Sequence, residues 1–252
     1  MSLDKRPQSL SCVVEFNHKA KLQKNQNLNT QEEIIMKNNR TELAFILDRS
    51  GSMGGLESDT IGGFNAFMQK QQALPDSCHI TTVLFDDQYE LLHDRLDIQA
   101  VSPVTEKEYF VRGSTALLDA IGKTINKIAQ TQKQSKPEYR ADKVLFVITT
   151  DGMENASREF SYPKIKELIE QQKTKYQWEF LFLGANIDAV ATAGQFGITP
   201  DRAQNYHADH EGVAVVFESV ACAATAYREQ AAMPMDWNQA INEDYKQRGG
   251  KH

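Results

Sequence analysis

Sulfur is scarce in this sequence. Three cysteines, Cys12, Cys78 and Cys222, are scattered over 252 residues, and none belongs to a CxxC pair. That pattern excludes a disulfide framework and a thiolate zinc clasp, and it fits reduced thiols in a cytoplasmic protein. Long apolar runs are missing too. No stretch approaches the roughly 20 residues that a membrane-spanning helix needs, and the first residues lack the apolar core of a signal peptide. Nor is there an excess of positive charge. With 28 Lys and Arg against 34 Asp and Glu, the formal net charge is -6, which argues against non-specific binding to nucleic acid or anionic membrane.

What is present is a stretch that ends a strand on a carboxylate. Ala44-Phe45-Ile46-Leu47 is apolar without a break, and Asp48-Arg49-Ser50-Gly51-Ser52-Met53-Gly54-Gly55 follows it. The apolar run reads as a buried strand and the rest as a Gly-rich turn. In Asp48-x-Ser50-x-Ser52 alternate residues can point the same way, so one anionic and two neutral oxygens converge. Hard oxygen donors without thiolate or imidazole suit a hard divalent cation such as Mg2+. The plain alternative is a turn followed by an N-cap, which Asp, Ser and Gly also make.

The remainder alternates between helical and strand patterns. Leu56, Ile61, Phe64, Phe67 and Met68 predict a helix over about Glu57 to Ala73, with Gly62-Gly63 inside it marking close packing or a weak point. Cys78 to Phe85 is a second strand, Asp86-Asp87-Gln88 a turn, and Tyr89 to His93 its hairpin partner at a sheet edge. A polar connection leads to Gly113-Ser114-Thr115, which opens a helix with the stripe Leu118, Ile121, Ile125 and Ile128. Lys143 to Thr150 is a buried strand that stops at Asp151-Gly152. Ser161 to Lys175 reads as a helix, Trp178 to Leu183 as a strand, Ile187 to Phe196 as a short helix and Gln204 to His207 as a short strand. Val213, Phe217, Val220, Ala224 and Tyr227 mark a final helix. Alternation of this kind implies an α/β fold with a mostly parallel sheet covered on both faces, whose ligands gather at strand carboxyl ends.

Asp48-x-Ser50-x-Ser52, Gly113-Ser114-Thr115 and Thr150-Asp151-Gly152 together resemble the metal-ion-dependent adhesion site of von Willebrand factor A domains. The resemblance covers about Thr41 to Tyr227. It implies a Rossmann-like three-layer sandwich, with one antiparallel edge strand and helices on both faces, over residues 41–232. Residues 1–40 are then a polar leader, partly disordered or loosely docked, and residues 233–252 a polar tail. Carried over, it implies that Ser50 and Ser52 bind Mg2+ directly, with Mn2+ and Ca2+ as alternatives. Thr115 binds directly or through water, and Asp48 and Asp151 hold metal-bound waters or bind directly. An exposed coordination position then accepts an Asp or Glu carboxylate from a partner protein, with no catalytic group required. The scattered thiols and absent export signal are similar to those of intracellular bacterial and phage-associated members, which are often modules of larger assemblies.

Two other functional readings stay open. A Mg2+-dependent phosphotransferase or hydrolase also starts from a strand ending in Asp, but an aspartyl-phosphate enzyme needs a second Asp where Ser50 stands. A metal-free scaffold would use the five residues only to cap turns. Four further features are weighed against plainer roles. Gly122-Lys123-Thr124 has no Gly five residues earlier and lies within a helical stripe, so it reads as solvated helix surface rather than a phosphate loop. His207-Ala208-Asp209-His210 could hold zinc, or be a polar loop with two exposed histidines. Glu154-Asn155 either hydrogen-bonds behind the metal ligands or makes a cap or turn. Trp178 and Phe180 are core residues of a buried strand.

Overall fold

The structure, a computed structural model, describes residues 39–250. Residues 1–38 of the expected polar leader lie outside that range. Six strands form one sheet: β1 (Thr41–Asp48), β2 (Cys78–Phe85), β3 (Tyr89–Asp97), β4 (Lys143–Thr150), β5 (Glu179–Ala185) and β6 (Ala203–Tyr206). Their order is β3-β2-β1-β4-β5-β6. All pairs are parallel except the β2–β3 hairpin at one edge. This is the expected α/β architecture.

Alternation along the strands fills two cores. Leu43, Phe45 and Leu47 of β1 face one side, with α1 (Glu57–Gln72), α5 (His210–Gln230) and α6 (Gln239–Gln247). Ala44 and Ile46 face the other, with α2 (Leu117–Gln134), α3 (Tyr162–Tyr176) and α4 (Ala189–Gln195). β1 is buried along its whole length, so it reads as a continuous apolar run rather than an alternating one. On the first side Phe45 meets Phe64 and Phe67 edge-on, with ring centroids 5.4 and 4.6 Å apart. On the second, Trp178 and Phe180 stack on Phe146 at 5.6 and 4.8 Å, so both aromatics are core.

Of the two adjacent glycines in α1, only Gly63 is a packing requirement. A Cβ there would fall 2.3 Å from the Phe217 ring of α5, whereas Gly62 faces open space. Gly122 is likewise a contact point within α2, where a Cβ would lie 2.4 Å from the Phe160 ring. Thr124 is fully buried and donates to the Ala120 carbonyl at 2.7 Å. Gly122-Lys123-Thr124 is therefore helical, as expected, but it is not solvated surface: only Lys123 reaches out, to Glu159 at 2.7 Å.

The segment expected to be a polar tail carries α6 instead. Met233, Trp237 and Ile241, spaced four apart, are buried in the first core. The Trp237 indole N–H donates to the Asp201 carbonyl at 2.8 Å. A majority of polar residues masked that apolar stripe. Arg228 of α5 is fully buried, and its guanidinium spans the Gln71 carbonyl at 2.7 Å and the Asp76 carboxylate at 2.9 Å.

The helix following β1 packs on one face and the helix following β4 on the other. The loops leaving these neighbouring strands diverge, and a crevice opens between their carboxyl ends. Asp48 and Asp151 stand there.

Candidate metal centre

β1 ends on Asp48, whose side chain is completely buried. One carboxylate oxygen accepts the Ser50 backbone N–H at 2.6 Å and the other accepts the Thr150 hydroxyl at 2.6 Å. The carboxylate thus fixes the turn that presents Ser50 and Ser52, whose Oγ atoms lie 3.0 Å apart. Ser52 also hydrogen-bonds Asp151. Thr115 arrives from the long connection between β3 and α2. A Cβ built on Gly152 would sit 3.1 Å from Ser52 Oγ and 3.4 Å from Thr115 Oγ1, so both hydroxyls flank one small gap. The structure thus brings Asp48, Ser50, Ser52, Thr115 and Asp151 together from three distant parts of the chain.

That connection is held at several points. Asn65 of α1 clips it through both amide atoms, donating to the Val104 carbonyl and accepting the Val104 N–H, each at 2.8 Å. The buried Tyr109 hydroxyl donates to the Asp48 carbonyl at 2.6 Å. Gly113 has φ +68°, a left-handed conformation that favours glycine, and a Cβ there would also press on Asp86 Cβ at 3.3 Å. Its carbonyl accepts the Gly51 N–H at 3.2 Å, which joins the threonine loop to the serine loop.

Glu154 and Asn155 prove to do both things weighed for them. Asn155 Oδ1 accepts the Thr115 N–H at 2.9 Å, directly behind the threonine hydroxyl. Glu154 accepts the Leu118 N–H at 2.9 Å and so caps the start of α2, while its other oxygen holds the Ser157 N–H at 2.7 Å. Asp119, which sequence reasoning missed, turns back to accept the Arg158, Glu159 and Phe160 N–H groups at 2.9, 3.0 and 2.9 Å. Its only sequence signal was an acidic residue in the first turn of a helix.

A second missed group is ionic. Arg49, between two cradle residues, is fully buried and donates to Asp86 at 2.9 Å and to Glu90 at 2.7 Å. Arg112 reaches the same Asp86 oxygen at 2.7 Å. Asp86 does belong to the hairpin turn, accepting the Gln88 N–H at 2.7 Å, but its charge serves the arginines. Burial works against that charge, and the hydrogen bonds from Arg112, Gln88 and Arg49 overcome it to hold the Asp86 carboxyl below its usual range.

The cradle has the electrostatics of a site short of positive charge. Burial pushes the Asp48 carboxyl up to about 6, against the hydrogen bonds from Thr150 and Ser50, and the nearby Asp151 charge adds to the rise. Burial also raises Asp151, whose Oδ1 is buried without a hydrogen-bond partner. Among the described residues no three His, Cys, Asp or Glu side chains converge, so the donors here are two carboxylates and three hydroxyls. An orphaned carboxylate oxygen, hard neutral donors around it and a gap that one methyl group would fill together fit a small hard cation. The zinc alternative finds no support. His207 Nε2 lies 3.1 Å from the Tyr245 carbonyl, and His210 Nδ1 pairs with Asp59 at 2.6 Å.

No protein-family model matches the sequence, and no curated protein is similar to it. Solved structures are similar in fold. The manganese-loaded TRAP protein of Plasmodium vivax is 21% identical with a TM-score of 0.52, over 70% of this chain and 71% of that one. The vWF domain of the type V pili tip protein Mfa5 from Porphyromonas gingivalis is 12% identical with a TM-score of 0.53, over 77% and 98%. The pilus adhesin SpaC from Lactobacillus rhamnosus GG is 12% identical with a TM-score of 0.57, over 73% and 30%. The chain spans under half the length of several such proteins, including 45% of the mussel byssus protein PTMP1 and 43% of a von Willebrand factor type A protein from Catenulispora acidiphila. At these identities the likeness carries the fold, and the chain has the Rossmann-like α/β fold of von Willebrand factor A domains.

Proposed function

We propose that this chain is a divalent-metal-dependent protein-binding module. Ser50, Ser52 and Thr115 supply hydroxyl ligands, Asp48 and Asp151 orient metal-bound waters or bind directly, and the open side of the ion accepts an Asp or Glu carboxylate from a partner. The observation that carries this reading is the buried, unpartnered Asp151 Oδ1 beside the hydroxyl cluster, since a bare acceptor in that position is unfavourable unless something positive or protic meets it. Mg2+ is the proposed ion, because it favours octahedral oxygen ligation and keeps part of its water shell. Manganese in the similar TRAP protein is in keeping with a site of this ligand class, and Mn2+ and Ca2+ are the alternatives to test. Similar folds in a pilus adhesin and a pilus tip protein support a role in assembly between proteins.

An aspartyl nucleophile fits poorly. Asp48 is wholly buried, both its oxygens already accept hydrogen bonds, and the position two residues on is Ser50 rather than an acid. Isothermal titration tests the proposal. Mg2+ binding by the unsubstituted chain should disappear in Asp48→Ala and Asp151→Ala, and unchanged affinity in both would refute the site. Partner capture should require Mg2+ and fail in EDTA.

A further inference from the structure

The rim of the cradle says what kind of acidic partner it takes. Seven large hydrophobic side chains are exposed among the described residues, and two of them flank the cradle. Met153, 74% exposed, directly follows Gly152, where a Cβ would lie 3.1 Å from Ser52 Oγ and 3.4 Å from Thr115 Oγ1. Phe110, 42% exposed, lies against Arg49, the residue between Asp48 and Ser50, and follows the Tyr109 that holds the end of β1.

The aromatic ring is fixed in place. The guanidinium carbons of Arg49 and Arg112 lie 5.3 and 5.4 Å from its centroid. Both arginines are already paired with Asp86, so they hold the ring rather than offer a charge to a ligand. A ring immobilised beforehand makes contact at little entropic cost, and an exposed methionine adapts to whatever apolar group meets it. Exposed apolar groups clustered beside polar groups mark contact surfaces.

Charge points the same way. The cradle's two carboxylates and a divalent cation sum to zero, and among the described residues the rim arginines, Arg49 and Arg112, are both paired with Asp86. A doubly charged phosphate gains little there. A singly charged carboxylate with apolar neighbours gains both the metal and the rim. Building on the metal-dependent reading above, we propose that the partner is a protein segment whose metal-binding Asp or Glu is flanked by apolar residues, one packing on Phe110 and one on Met153.

The test uses a peptide library with a central Asp fixed and two random positions on each side, offered to the full chain in Mg2+ and again in EDTA. The unsubstituted chain should enrich Leu, Ile, Met and Phe at the flanks, in Mg2+ only. Phe110→Ser and Met153→Ser should each lose that preference on their own side and weaken binding of the best synthetic peptide by on the order of tenfold. Their Mg2+ affinity by titration should stay that of the parent, since neither residue is a ligand. Mg2+-dependent peptide binding without flank preference, or a preference that survives both substitutions, overturns this inference and leaves the metal site standing. If the unsubstituted chain shows no heat of Mg2+ binding, both readings fall together.

Discussion

Replacing Asp48 by Asn separates the stability of the fold from its metal chemistry, because the two should move in opposite directions. Asn has the same shape, and the surrounding hydrogen bonds can be kept. Its carbonyl oxygen takes over the Ser50 N–H, now held at 2.6 Å. Its amide then donates to Thr150 Oγ1, and the threonine hydroxyl turns to the Gly152 carbonyl, 3.1 Å away. What is lost is a buried negative charge. In the folded chain Asp48 titrates at about 6 rather than near its ordinary 3.8. The folded state therefore holds this proton more tightly than the unfolded state does. The group's contribution to stability is complete below about pH 4, declines as pH rises towards 6, and is gone above it. Two pKa units correspond to about 3 kcal/mol.

In EDTA at pH 7.5 the Asn variant should therefore be the more stable protein, by up to about 3 kcal/mol, or on the order of 5–10 °C in Tm for a domain of this size. At pH 4.5 most of that advantage should vanish, because Asp48 is itself protonated there. Mg2+ closes that gap, since the ion needs the carboxylate that burial disfavours. At 100 times Kd the wild type regains about 2.7 kcal/mol and the variant nothing, so the two melting curves converge at pH 7.5. The same competition with protons weakens wild-type Mg2+ binding as pH falls through 6. Urea melts and thermal scans with and without Mg2+ measure all of this. A variant that is less stable than wild type in EDTA, or that gains as much from Mg2+, refutes the reasoning.

Three further outcomes are expected. Gly152→Ala adds a methyl group 3.1 Å from Ser52 Oγ and 3.4 Å from Thr115 Oγ1, so Mg2+ affinity by titration should drop by on the order of tenfold or more, with the Tm in EDTA nearly unchanged. Asp86→Ala removes the shared partner of Arg49 and Arg112 and leaves a buried guanidinium held by Glu90 alone, which should lower unfolding free energy in urea by about 3–5 kcal/mol. Ending the chain before Met233 exposes what Met233, Trp237 and Ile241 now cover, and should destabilise the domain by on the order of 5 kcal/mol in the same assay.

The parts of this molecule that could be read from sequence are those whose signal is local. β2 and β4 were bounded correctly because their apolar, β-branched runs are interrupted at both ends by turn residues. The cradle was legible for a related reason: each of its pieces lies where a strand or helix terminus meets a polar turn, so Asp48, Thr115 and Asp151 stand out against apolar neighbours. α6 was not legible, because its apolar residues are few and acquire meaning only against the core they cover. The same is true of Gly122, which looks like any helical glycine until Phe160 is laid across it.

The supports of the cradle were hidden for a different reason, and it bears on how the site is built. Asp119, Glu154 and Asn155 act mainly on backbone N–H groups, and a backbone amide leaves no mark in a sequence. Arg49 sits inside the most conspicuous motif of the chain, yet its role is set by Asp86 and Glu90 some forty residues away. Asp119 and Glu154 have both carboxylate oxygens occupied by protein donors. Asp151 Oδ1 is the one carboxylate oxygen among the described residues that is buried without a hydrogen-bond partner. A network that pairs Asp86, Asp119 and Glu154 and leaves one carboxylate oxygen bare, next to three hydroxyls and a gap that one methyl group would fill, leaves room for a small ligand. A cation meets that description, and water alone would leave the charge of the two carboxylates uncompensated.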